Sequence, residues 1–112
     1  DLESIIVNML TNSFEALKGT GGKRVIKIST IDFGEEYQIV FEDSGPGVPD
    51  NLKEWIFIPL NTTKEEDGVG LGLTIVKDIV ESYNGKIEVG KSNAIGGARF
   101  TVIFPVDEVK DE

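Results

Sequence analysis

The sequence predicts an α+β fold, a two-layer sandwich with helices on one face of a mixed, mostly antiparallel sheet. Three observations carry that expectation. Residues 2–17 and 71–83 each repeat apolar side chains at helical spacing, so each has one apolar face to bury. Val25–Ile31 and Tyr37–Glu42 alternate apolar and polar residues across a short link containing Gly34, the pattern of an antiparallel hairpin. A chain of 112 residues, 39% of them hydrophobic, has material for one core and no second domain.

The first helix places Leu2, Ile5, Ile6, Met9, Ser13, Ala16 and Leu17 on its apolar face, and Gly19-Thr20-Gly21-Gly22 ends it. Asn8, Asn12 and Glu15 follow at i, i+4 and i+7 and form an adjoining stripe. Asparagine is a poor interior helix residue. That stripe is either a solvated face or a set of oxygens converging on a cation or polar ligand, and oxygen ligands of this type suit Mg²⁺. After the hairpin, Asp43-Ser44-Gly45-Pro46-Gly47-Val48-Pro49 makes a turn. Asp43 there is either the acceptor of an ordinary Asx turn or an acceptor for a ligand such as an amino-purine. Asp50–Ile58 reads as a short helix with Asp50 as N-cap and Trp55, Ile56 and Phe57 towards the core, closed by Pro59.

Residues 61–70 are polar, lack periodicity and read as a mobile lid. Asp67-Gly68-Val69-Gly70-Leu71-Gly72-Leu73 then runs into the second long helix, whose stripe is Leu73, Val76, Ile79, Val80 and Tyr83. Glycines before a helix start let the backbone approach a ligand, and the unpaired N–H groups there suit a phosphate chain. Asn84-Gly85 stops this helix. Lys86–Val89 and Ala98–Phe104 complete the sheet, joined by a glycine-containing link. Residues 1–106 are expected to form the domain and 107–112 an acidic tail.

A net charge of −9 argues against nucleic acid or an anionic membrane surface as partner. Neither cysteine nor histidine occurs. Thiol chemistry, zinc–thiolate sites and any imidazole base, ligand or phosphate acceptor are thereby excluded from this chain. No apolar run is long enough to span a membrane. The chain starts inside an amphipathic helix and is expected to be a domain excised from a longer protein.

Five motifs occur in order: Asn8-Met9-Leu10-Thr11-Asn12-Ser13, Asp43-Ser44-Gly45-Pro46-Gly47, Phe57-Ile58-Pro59 with Thr62-Thr63-Lys64, Gly68-Val69-Gly70-Leu71-Gly72-Leu73, and Gly96-Gly97. They resemble the N, G1, F, G2 and G3 boxes of the catalytic, ATP-binding domain of bacterial sensor histidine kinases. That domain belongs to a superfamily shared with DNA gyrase B, Hsp90 and MutL, with the Bergerat fold. The resemblance implies ATP and Mg²⁺ as cofactors. Asp43 would accept from the adenine amino group, with Gly45 and Gly47 admitting the purine. Asn12 would ligate Mg²⁺, and Asn8 beside it would face the phosphates as the second catalytic residue. Thr62, Thr63 and Lys64 would belong to the ATP lid, and Gly68, Val69, Gly70, Leu71, Gly72, Leu73 and Thr74 would cradle the phosphates.

The sequence departs from the family pattern in places. Ile58 precedes Pro59 where an acidic residue is usual, and Leu60 and Asn61 replace frequent aromatics. Ala98 stands where a Thr hydroxyl is common near the adenine, so a water or Thr74 would have to substitute. Glu15 replaces a common basic residue and is given no catalytic role. Lys77 reads as a solvated helix lysine rather than a phosphate ligand.

One position separates two functional classes of this fold. The gyrase, Hsp90 and MutL branch carries a carboxylate four residues before the Mg²⁺-binding Asn; here that residue is Asn8, and an amide is no general base near neutral pH. The resemblance therefore implies a histidine kinase whose acceptor lies on a separate upstream dimerisation domain, with a response-regulator receiver as indirect partner. It implies a cytoplasmic location, a monomeric fragment and a homodimeric parent. A superfamily ATPase, an anti-sigma-type serine kinase and a bare ATP-binding module are the alternatives.

Overall fold

Sixteen residues, Leu2–Leu17, form helix α1, and the side chains it buries are Ile5, Met9, Ser13 and Leu17, one per turn. The computed structural model describes residues 2–58 and 72–106. Leu2, at the free end of α1, is exposed despite its apolar character, and Phe14 on the outward side is 60% exposed. The second helix, α2 (Gly72–Ser82), buries Val76 and Val80 one turn apart. Its stripe also brings Leu73 and Ile79 against the core, whereas Tyr83 lies past its end, exposed, with its ring edge-on to Phe104 at 6.2 Å.

Among the described residues four strands follow the order β1-β2-β4-β3, with β1 Ile26–Asp32, β2 Glu36–Asp43, β3 Lys86–Lys91 and β4 Ala98–Pro105. All three neighbouring pairs are antiparallel. The register lines up Ile28, Phe41, Phe100 and Val89 in one row and Thr30, Ile39, Val102 and Ile87 in the next. Those rows face the helices. Ile39, Phe41, Phe100, Val102 and Ala98 meet Ile5, Met9, Val76 and Val80 in a single core. Burying each large side chain contributes roughly 1.5–3 kcal/mol. Ile28, in the same row but on edge strand β1, is half-exposed because the helices pack mainly over β2, β3 and β4. On the opposite face of β2, Val40 and Glu42 are buried as well.

Two connections differ from the sequence expectation or refine it. Residues 50–58 are not one helix. They form two single 3₁₀ turns, Asp50–Leu52 and Trp55–Phe57, and Pro49, not Asp50, holds the N-cap position of the first. The Asp50 carboxylate instead pairs with Lys53 at 2.9 Å. That hydrogen bond and the ammonium charge hold the Asp50 carboxyl below its usual range. Pro49 ahead of Asp50 starts this segment extended, and 3₁₀ turns are used where only a few residues are available. None of Trp55, Ile56 and Phe57 is fully buried, although Ile56 and Phe57 pack on the core.

At the end of α2, Asn84 takes the left-handed conformation (φ 64°), not Gly85. Gly85 is required sterically: a Cβ there would collide with the Ile103 carbonyl and meet Val80 Cγ1 at 3.1 Å. No helix among the described residues is long and apolar enough to cross a membrane.

Candidate functional site

Asp43 is the last residue of β2, on the same face as Phe41 and Ile39, and only 2% of it is exposed. Its Oδ1 accepts from the Gly45 N–H at 2.9 Å and from the Ala98 N–H at 3.3 Å. The first bond is the Asx-turn bond expected of such a residue. The second ties the turn to β4. Both recorded bonds go to Oδ1. Oδ2 takes no hydrogen bond among the described residues. The carboxylate is therefore fixed by one oxygen and leaves the other uncommitted.

Gly97 closes the floor beside it. A Cβ on Gly97 would collide with the Asp43 carbonyl and lie 2.7 Å from both Asp43 Oδ1 and the Gly45 nitrogen. Gly47 takes a left-handed conformation (φ 81°) near Gly97, and a Cβ on Gly45 would lie 3.1 Å from the Ala16 carbonyl of α1. Ser44 clips this turn to the chain entering β1: the Val25 N–H donates to Ser44 Oγ at 2.9 Å, and the Ser44 N–H donates to the Val25 carbonyl at 3.0 Å.

α1 packs against α2, and Asn8 of the asparagine stripe lies at that contact. Asn8 Nδ2 donates to the Ser4 carbonyl one turn back at 2.8 Å. That turns Oδ1 towards α2, 3.6 Å from where a Gly72 Cβ would stand. Asn12, half-buried one turn further on, makes no side-chain hydrogen bond among the described residues, so its amide is unspent. Glu15, next on the stripe, pairs with Lys18 at 3.1 Å. Gly72, Leu73 and Thr74 form the first turn of α2, whose N–H groups have no intrahelical acceptor. Lys77 pairs with Glu81 at 2.6 Å along the outer face, the solvated role expected of it.

Thr74 does not replace the hydroxyl missing at Ala98. Its Oγ1 donates to the Phe57 carbonyl at 2.9 Å and so anchors α2 to the second 3₁₀ turn. The Ala98 position contributes through its main chain instead. Thr62, Thr63, Lys64, Gly68, Val69, Gly70 and Leu71 lie outside the described residues.

The residues present fit a magnesium nucleotide on two counts. A carboxylate oxygen with no hydrogen bond stands beside a floor that only glycine fits, and the Asn8 Oδ1 stands beside the N-terminus of α2. No three Asp, Glu, His or Cys residues gather to hold a metal among the described residues. A divalent cation here would rest on few protein oxygens, as Mg²⁺ does when phosphates supply its other ligands. Sequence reasoning missed the Ala98 N–H, the contact of Gly97 with Asp43, and the Thr74–Phe57 bond. The first two are main-chain effects, for which residue identity carries little signal.

Helices on one face of an antiparallel sheet, four-stranded among the described residues, make this an α/β Bergerat ATP-binding fold. The chain belongs to the family described as Histidine kinase-, DNA gyrase B-, and HSP90-like ATPase, whose pattern matches residues 1–108. Among curated relatives it is 38% identical to sensor protein CitS of Halalkalibacterium halodurans, covering 98% of this chain and 20% of that protein. It is 34% identical to hybrid signal transduction histidine kinase D of Dictyostelium discoideum, covering 99% of this chain and 8% of that one. Among solved structures, the nucleotide-free catalytic domain of histidine kinase ThkA superposes with a TM-score of 0.78 at 35% identity, covering 93% of this chain and 65% of that one. ThkA in complex with the response regulator protein TrrA superposes at 0.73, with 32% identity, covering 93% of this chain and 28% of that chain. The chain thus spans less than a third of the curated relatives it matches.

Proposed function

We propose that this chain is the catalytic domain of a sensor histidine kinase, with residues 1–106 as the domain and 107–112 as a tail. It binds ATP with Mg²⁺ and presents the γ-phosphate to a histidine on a separate dimerisation domain of a homodimeric, cytoplasmically exposed parent. The observation that carries this reading is the buried Asp43 carboxylate, fixed through Oδ1 and with Oδ2 free of hydrogen bonds among the described residues. An ionised carboxylate oxygen is an acceptor only, and it suits the exocyclic amino group of adenine.

In this reading Gly45, Gly47 and Gly97 let the purine lie close to main chain. Asn12 offers its amide oxygen to the cation and Asn8 Oδ1 faces the phosphates. The N-terminal turn of α2, from Gly72 to Thr74, donates main-chain N–H groups to the phosphate chain. Thr62, Thr63, Lys64, Gly68, Val69, Gly70 and Leu71 are assigned to the lid and cradle. Bound Mg²⁺ would neutralise charge on the β- and γ-phosphates. Phosphoryl transfer is mainly positioning and electrostatics, so a domain holding no nucleophile is chemically sufficient for its half of the reaction.

The likeness to ThkA, solved with a response regulator, supports a receiver domain as the eventual phosphate acceptor. The chain has no histidine, and no carboxylate at position 8 to activate water. Radiolabelled ATP separates transfer from hydrolysis. The parent protein should label on histidine, while this domain alone releases phosphate at no more than about a hundredth of typical kinase turnover of 1–100 s⁻¹. Hydrolysis by the isolated domain within that range, without histidine labelling in the parent, would overturn the reading in favour of an ATPase.

A further inference from the structure

We infer that Glu42 and Ser92 form a buried positioning pair that sets adenine recognition from the far side of the sheet. The inference rests on the nucleotide reading of Asp43. Glu42 precedes Asp43 on β2, so strand alternation puts the two carboxylates on opposite faces. Glu42 is 8% exposed and Ser92 fully buried. Ser92 Oγ donates to Glu42 Oε2 at 2.8 Å.

Ser92 stands just after β3 and closes the link to β4 on itself. Its Oγ accepts from the Ile95 N–H at 3.0 Å, its carbonyl accepts from the Gly96 N–H at 2.8 Å, and its own N–H donates to the Gly97 carbonyl at 2.8 Å. Gly97 and Ala98, where this link ends, both touch Asp43, one through close contact and one through its N–H. A continuous set of hydrogen bonds therefore runs from Glu42, through Ser92 and the 92–97 link, back to the carboxylate beside it.

A buried carboxylate is costly unless it is hydrogen-bonded. In register, Glu42 lies between Lys27 on β1 and Arg99 on β4, two cations on its own face. A plain structural role would need only an apolar pair here. Holding the link by a directional bond instead fixes where Gly97 and the Ala98 N–H meet Asp43. Glu42 and Ser92 never reach the ligand face, so they are positioning residues.

The test is calorimetric titration of ATP and of inosine triphosphate, which lacks the amino group, into wild type, Ser92→Ala, Glu42→Leu, Glu42→Gln and the double variant Glu42→Leu/Ser92→Ala. Thermal unfolding of each is measured alongside. The pair predicts about five- to twentyfold weaker ATP binding in Ser92→Ala and Glu42→Leu, less than the loss of a whole charged hydrogen bond because Asp43 itself remains. Inosine triphosphate affinity should hold within about twofold, since the loss falls on amino-group recognition. Glu42→Gln keeps an acceptor and should bind ATP nearly as wild type does. The double variant should lose no more than the worse single. Unchanged ATP affinity with a lowered unfolding temperature, or equal losses for both nucleotides, would overturn the positioning role while leaving the nucleotide site intact. Wild type binding both nucleotides equally would instead remove the Asp43 reading and this inference with it.

Discussion

The two ends of the site are built in different ways. At the Asp43 end nearly every contact runs through main chain: the Gly45 and Ala98 N–H groups on Oδ1, and a floor at Gly97 where no side chain fits. At the α1–α2 end the site is made of side chains with spare capacity, Asn8 turned by its bond to Ser4 and Asn12 without a partner among the described residues. A main-chain site is stiff and intolerant, because any added atom displaces backbone. A side-chain site can lose one group and keep its frame. Recognition of a base benefits from the first and accommodation of a hydrated cation from the second.

The contrast is broken most severely at Gly97. Gly97→Val drives side-chain atoms into the Asp43 carbonyl and carboxylate. Overpacking of this kind costs about 2–3 kcal/mol, which for a domain of this size lowers the unfolding midpoint by roughly 10 °C or more. ATP binding should disappear in the same variant, and calorimetry beside a thermal melt reads both. Binding at wild-type strength would mean that the Gly97 contact is not part of the ligand floor.

A smaller effect is expected where the second region joins the rest. Thr74→Val removes the hydroxyl that anchors α2 to the Phe57 carbonyl. The loss is about 1 kcal/mol, a midpoint lower by roughly 4–8 °C. ATP affinity in Thr74→Val should change by no more than about threefold, because only the hydroxyl is lost and the α2 N–H groups remain. A larger fall in affinity than in stability would reassign the Thr74 hydroxyl to the ligand.

The same contrast decided what the sequence could reveal. The amphipathic periods of α1 and α2 and the alternation in β1, β2 and β4 specified the two layers, since burial of one face follows directly from spacing. Asp43 and the asparagine stripe were legible because their side chains carry the chemistry. The Ala98 contribution was not: the side chain suggested a missing hydroxyl, while the donor is its N–H, which every non-proline residue has. Asp50 misled for a related reason. A carboxylate before an apolar run is a good N-cap signal, but Lys53 competes for it and the segment closes as two 3₁₀ turns. Phe14, apolar yet exposed, shows that composition does not say which face a residue takes.

The most direct test of the account is titration of a non-hydrolysable ATP analogue with and without Mg²⁺ into wild type, Asp43→Asn and Asn12→Ala. Wild type should bind more tightly with Mg²⁺, and Asp43→Asn, whose amide nitrogen cannot accept from adenine, should lose at least about a hundredfold. In Asn12→Ala binding should persist while the Mg²⁺ enhancement falls about tenfold. Equal affinity in wild type and Asp43→Asn would contradict the assignment of the site.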